Sequence, residues 1–106
     1  MSARSRNKGH GFEREIARLL RPLFPQCKRK LEYQSQEAQG VDLDGTGQLV
    51  IQCKRSRKSI PLAAINEIKV AGIKVLVSKV DHEPIYATLQ LSDLIRILGG
   101  EINVKS

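Results

Sequence analysis

The sequence predicts one mixed α/β domain. Three observations predict it: an apolar stripe at helical spacing over residues 12–23, a β-branched apolar run at 49–53 behind a glycine-rich turn, and two alternating strands that follow a proline-started helix. With 41% hydrophobic and 27% charged residues, the 106-residue chain has the composition of a compact domain, not of a disordered or fibrous one. At this length the buried fraction of the surface is modest, so a monomer is possible and help from a partner subunit would be no surprise.

Residues 1–9 contain Arg4, Arg6 and Lys8, no acid and few apolar side chains, and are expected to form a flexible basic arm on a single domain spanning 1–106. Phe12, Ile16, Leu19, Leu20 and Leu23 then recur on one helical face, and Pro22 and Pro25 close that helix. Arg14, Arg18 and Arg21 occupy its reverse face, where they either meet phosphates or are solvated. Glu13 and Glu15 flank the stripe on opposite sides, and helical geometry does not choose between them as a site residue. Residues 28–33 open a strand with three consecutive cations, and residues 34–40 read as a mobile loop.

Residues 41–54 read as a hairpin. Asp44, Gly45 and Gly47 carry the turn, and residues 49–53 are apolar enough for a central strand. Pairing about Gly47 sets Asp42 opposite Gln52. Because side chains two apart share a face, Asp42, Gln52 and Lys54 converge while Leu49, Ile51 and Cys53 turn away. Asp44 shares the face of Asp42, but a turn role suits it better. Pro61 starts a second helix that Gly72 ends, residues 74–80 and 85–90 form strands around the turn at 81–84, and Ser92 caps a last helix that reaches Leu98. Gly99 and Gly100 stop it, and residues 102–104 are expected to add an edge strand.

Charge is lopsided. Residues 1–58 hold thirteen Lys/Arg and six Asp/Glu, whereas residues 59–106 hold five of each, so the whole net charge of +7 belongs to the first half. That half is expected to meet a polyanion; nucleic acid fits better than a membrane, since no basic amphipathic helix with bulky aromatics is present. Solubility alone is the plainer alternative. No apolar run approaches the ~20 residues of a membrane span and no apolar h-region follows the basic start, so a cytoplasmic protein is expected. Cys27 and Cys53 are far apart and are read as packing residues. With His10 and His82 they lack the close pairs of a zinc site.

A carboxylate, an amide and an ammonium on one face of a central hairpin are costly to bury without a reason. One explanation is a solvated sheet edge or a simple Asp42–Lys54 ion pair. The other is a metal site for phosphodiester hydrolysis. Magnesium takes oxygen ligands, which Asp42, the Gln52 amide and the Cys53 backbone carbonyl can supply, with Glu13 reaching it through water; manganese would substitute. Lys54 would then orient or deprotonate the attacking water and offset transition-state charge.

The string Lys8-Gly9, Glu13-Arg14-Glu15-Ile16, Gly40-Val41-Asp42 and Ile51-Gln52-Cys53-Lys54 resembles the PD-(D/E)xK nuclease superfamily, and within it the archaeal-type Holliday junction resolvases, including similar phage-encoded proteins. The resemblance covers roughly residues 8–80. It implies a restriction-endonuclease-like mixed central sheet flanked by helices, and it assigns Glu13, not Glu15, as the helix carboxylate, Asp42 as the main metal ligand and Lys54 as the catalytic lysine. Gln52 departs from the resolvase pattern, which has a second acid there. The run Gln52-Cys53-Lys54-Arg55 is similar instead to the Mrr-type restriction nucleases. What the resemblance implies is a magnesium-dependent, structure-selective endonuclease that cuts four-way DNA junctions as a symmetric homodimer, without a small-molecule cofactor or a membrane. Arg4, Arg6, Lys8, Lys28, Arg29, Lys30, Arg55, Arg57 and Lys58 are the expected phosphate contacts, and Ser35 and Gln36 are expected to reach DNA from the loop by position alone. The alternatives are a restriction-type or other DNA endonuclease on branched or duplex DNA, and a non-catalytic DNA-binding protein with a degenerate nuclease site.

Overall fold

The computed structural model describes the backbone of residues 3–30 and 39–105, and within those ranges the side chains from His10 onward. Helix α1 (Ala3–Leu20) is followed by strands β1 (Lys28–Arg29), β2 (Leu43–Asp44) and β3 (Leu49–Ser56), a 3-10 helix (Leu62–Glu67), strands β4 (Ile73–Val80) and β5 (Ile85–Thr88), and helix α2 (Leu91–Leu98). The chain is therefore an α/β fold whose main sheet is mixed, in the order β3-β4-β5: β3 and β4 run parallel through the 3-10 crossover, and β4 and β5 run antiparallel. Among the described residues no helix is long and apolar enough to cross a membrane.

Residues 3–9, expected to form a basic arm, are helical. Helix α1 starts at Ala3, not near Phe12, so residues 3–9 continue it. Ala, Arg and Lys favour helix, no proline interrupts before Pro22, and Gly9 and Gly11 cost only about 1 kcal/mol each. Ser35, Gln36 and most of the expected 34–40 loop lie outside the described residues.

Alternation sorts the sheet into two faces. Phe12, Ile16 and Ala17 of α1 pack with Ile51 and Cys53 of β3 and Ile73, Val75 and Val77 of β4, all buried. On the other face, Gln52 and Leu76 are register neighbours, and both are buried, as are Ala64 of the 3-10 helix and Ile68 at its C-cap. A parallel pair covered on both sides explains why residues 49–53 and 73–77 read as nearly continuous apolar runs.

The expected hairpin is also corrected. Residues 43 and 44 pair antiparallel with residues 29 and 28, and among the described residues the segment's one backbone–backbone bond to the middle of β3 is Asp42 N–H to Ile51 O at 2.8 Å. The loop between is closed by Thr46, whose Oγ1 donates to Leu49 O at 2.7 Å while Leu49 N–H donates to Thr46 O at 3.0 Å. Residues 102–104 form no edge strand. Ile102 and Val104 instead lean on the core, and Val104 O accepts Gln48 N–H at 2.8 Å. Ser92 does not cap α2. Gln90 takes the cap position without a side-chain cap bond, its Oε1 accepting Ser92 Oγ at 3.5 Å instead, and Gly100, at φ 76°, follows the C-cap Gly99.

Gly47 has φ 57°, and a Cβ there would run into the carbonyl oxygen of Val104. Gly47→Ala is therefore expected to destabilise by more than about 1 kcal/mol, against the slight gain a Gly→Ala change gives at an unstrained site; urea unfolding would read it.

Candidate active site

Strand β3 pairs with β4 along one edge and with nothing but Asp42 along the middle of the other, among the described residues. Asp42 N–H meets Ile51 O, and one ladder step on, the Asp42 side chain replaces the backbone: Cys53 N–H donates to Oδ2 at 2.8 Å. The N–H and C=O of one strand residue point to the same side, so the Cys53 carbonyl also turns to this edge. Burial pushes the Asp42 carboxyl above its ordinary range, against the Cys53 N–H and the Lys54 charge, which pull it down. The structure thus brings together the Asp42 carboxylate and the Cys53 carbonyl.

Glu13 of α1 is half-buried beside them. Burial first, and the Asp42 charge second, raise its pKa to about 7, with Arg29 and Arg14 opposing. Glu13 is thus an α1 carboxylate that interacts with Asp42.

Gln52 and Lys54 leave β3 on the face covered by the 3-10 helix, where they meet a residue that the sequence did not suggest. Gln52 Nε2 donates to Glu67 Oε2 at 2.7 Å, and Lys54 Nζ lies 3.0 Å from the same oxygen. These two partners lower the Glu67 pKa, and Glu67 in turn is one of the charges that raise Asp42. The expected Asp42–Lys54 pair is thus a Glu67–Lys54 pair. One signal was available: Glu67 is the only acid between Asp44 and Asp81.

Gln52 is 3% exposed, and its Oε1 is buried without a hydrogen-bond partner. Native interiors seldom leave a side-chain oxygen in that state, and a cation ligand is one use for it. Among the described residues no three His, Cys, Asp or Glu side chains are placed to hold a metal. Asp42 together with amide and carbonyl oxygens is a donor set that suits magnesium or manganese.

The expected phosphate contacts divide. Lys28, Arg57 and Lys58 are exposed and make no ion pair among the described residues. Lys30 is held by Asp44 at 2.6 Å, Arg55 faces Asp81 at 3.8 Å, and Arg29 donates to Lys30 O at 3.0 Å. Of the α1 row, Arg14 and Arg18 are exposed while Arg21 donates to Cys27 O at 3.1 Å. Ser35 and the side chains of Arg4, Arg6 and Lys8 lie outside the described residues. A cleft of about 360 Å³ lies beside the turn, lined by Lys30, Val41, Asp44, Thr46, Leu49 and others; it includes none of Asp42, Gln52, Lys54 or Glu67, and its two charges neutralise each other.

Comparison of the chain with family models, with curated proteins and with solved structures gives no match in any of the three.

Glu13 supplies a pH test. Its folded-state pKa is raised from an ordinary 4.5 to about 7, so the folded protein keeps a proton that the unfolded chain releases between those values. Stability conferred by that proton is present at low pH and is lost as pH climbs through about 4.5 to 7. Glu13→Gln is expected to match wild type near pH 4 and to exceed it at pH 8 by about 1–2 kcal/mol, discounted for the partial exposure of the group. Urea unfolding at the two pH values checks this; a variant less stable at pH 8 would contradict it.

Proposed function

We propose that this chain is a divalent-metal-dependent DNA endonuclease of the restriction-endonuclease-like fold, acting on four-way junctions as a symmetric homodimer. The observation that carries the proposal is the polar constellation at the middle of β3: Asp42 on the strand edge, a buried Gln52 with an unpartnered oxygen, and Lys54 two residues on. The order of Glu13, Asp42, Gln52 and Lys54, and their resemblance to PD-(D/E)xK nucleases, supports the same reaction class. The net charge of +7, confined to the half that carries the site, supports a polyanionic substrate.

Asp42, the Cys53 carbonyl and the Gln52 amide would hold the metal, with Glu13 at the second layer. When bound, the cation would supply a more acidic water and polarise the scissile phosphate. Asp42 keeps its place through the Cys53 N–H. Lys54 positions the attacking water and offsets the charge that grows on the phosphorane. Lys28, Arg57 and Lys58 align the backbone of the substrate. Two copies of the site across a two-fold axis would cut two opposing strands.

A second copy has a surface to use. Leu91, Leu94, Ile95 and Leu98 form an i, i+3, i+4, i+7 stripe on α2, all exposed, and β5 is a sheet edge with exposed Ile85 and Tyr86. At roughly 180 Å² per fully exposed side chain these six leave on the order of 600 Å² uncovered, near the ~800 Å² that one partner contributes to a standard interface. Light scattering is expected to give a dimer for wild type and a monomer for Ile95→Lys/Leu98→Lys; a monomeric wild type would remove the symmetric-dimer part of the proposal.

The nuclease itself is tested with a labelled four-way junction and a linear duplex of the same sequence, in magnesium or in EDTA. Wild type is expected to make paired symmetric nicks in the junction only, with EDTA, Asp42→Asn and Lys54→Ala each reducing the rate by at least about 100-fold. Equal cutting of both DNAs would replace junction specificity with a general endonuclease. Tight, salt-sensitive binding without cutting would make the protein a DNA-binding protein with a silent site.

A further inference from the structure

We infer that Glu67 is the second carboxylate of the site, supplying from the 3-10 helix the acid that β3 lacks at Gln52, and that Asp42, Glu67 and the Gln52 amide oxygen together bind one divalent cation. The inference rests on the nuclease proposal for its purpose, but its evidence is local. Gln52 is 3% exposed, and its amide is tied on one side only: Nε2 to Glu67 Oε2 at 2.7 Å, with Oε1 buried and unpartnered. Leaving such an oxygen unsatisfied opposes folding, and a cation ligated there would offset that cost. Lys54 Nζ meets the same Glu67 oxygen, Oε2, at 3.0 Å. Among the described residues both donors therefore converge on one oxygen of the carboxylate, on a side chain about half exposed.

The chemistry of the donor set favours this assignment. Magnesium and manganese are held by carboxylate, amide and carbonyl oxygens with retained waters, and one carboxylate plus neutral donors is a weak site. Glu67 doubles the negative charge without crowding the strand. Its clamp by Gln52 and Lys54 fixes the carboxylate before a cation arrives, so Gln52 both ligates through Oε1 and orients through Nε2. Glu67 is also the group through which Lys54 is held beside the site, so one side chain sets the place of both the cation and the ammonium.

The test is calorimetric titration of the intact protein with Mn²⁺, with no DNA and no turnover. Three proteins are compared: wild type, Glu67→Gln, and the double variant Gln52→Glu/Glu67→Gln, which returns an acid to the strand. The expected result is saturable binding by wild type, at least about tenfold weaker binding by Glu67→Gln at an unchanged melting temperature, and recovery toward wild type in the double variant. Wild-type affinity in Glu67→Gln would overturn the inference and leave Glu67 as the partner of Lys54 alone, as would a double variant no better than the single one. Absence of Mn²⁺ binding in wild type would overturn the metal site itself, and with it the proposed function.

Discussion

The hydrogen bond from Cys53 N–H to Asp42 Oδ2 is the constraint on which the site depends. A strand edge in the middle of a protein needs an acceptor for each N–H that faces it, and here a side chain supplies it where a neighbouring strand would normally do so. The consequence is twofold. The β2 segment is released to pair with β1, and a carboxylate is fixed in the plane of the sheet between its two faces. From that position Asp42 interacts with Glu13 of α1, and with Lys54 and Glu67 on the side of the 3-10 helix.

Holding these groups together opposes stability. Burial raises both the Glu13 and the Asp42 pKa, so at neutral pH the fold pays to keep two carboxylates close, and Gln52 adds a buried oxygen with no partner. The surrounding packing carries the cost. Ile51, Cys53, Val75 and Val77 beneath α1, and Leu76 on the other face, are almost wholly buried and pack β3 from both sides. Local frustration placed on a strand covered on both faces is the pattern expected of a site whose ligand arrives later.

Much of this was legible in the sequence because it is local. Phe12, Ile16 and Leu20 on the core face of α1, the strand at 49–53, the 81–84 turn and the Gly99-Gly100 stop each follow from side-chain period or turn chemistry within a few residues, whereas Leu19 and Leu23, expected on the same stripe, are exposed. The identity of the β2 partner was not legible, because hairpin logic favours the nearest strand and only the Asp42 carboxylate removes the need for it. The fate of residues 102–104 was hidden for a similar reason: Val104 serves the turn at Gly47, more than fifty residues away in the chain. Glu67 escaped notice because a glutamate at the end of a short helix is ordinary by itself. It gains meaning only when the parallel β3–β4 crossover sets it against Gln52 and Lys54.

The most direct test of a metal-dependent site at the β3 edge is anomalous diffraction from crystals grown with Mn²⁺ and a cleavage-resistant phosphorothioate junction. An anomalous peak within ligand distance of Asp42 and the Gln52 amide oxygen, with the scissile phosphate beside it, is the expected result. Well-ordered DNA with no peak at Asp42, or a peak held only by residues elsewhere on the chain, would contradict it.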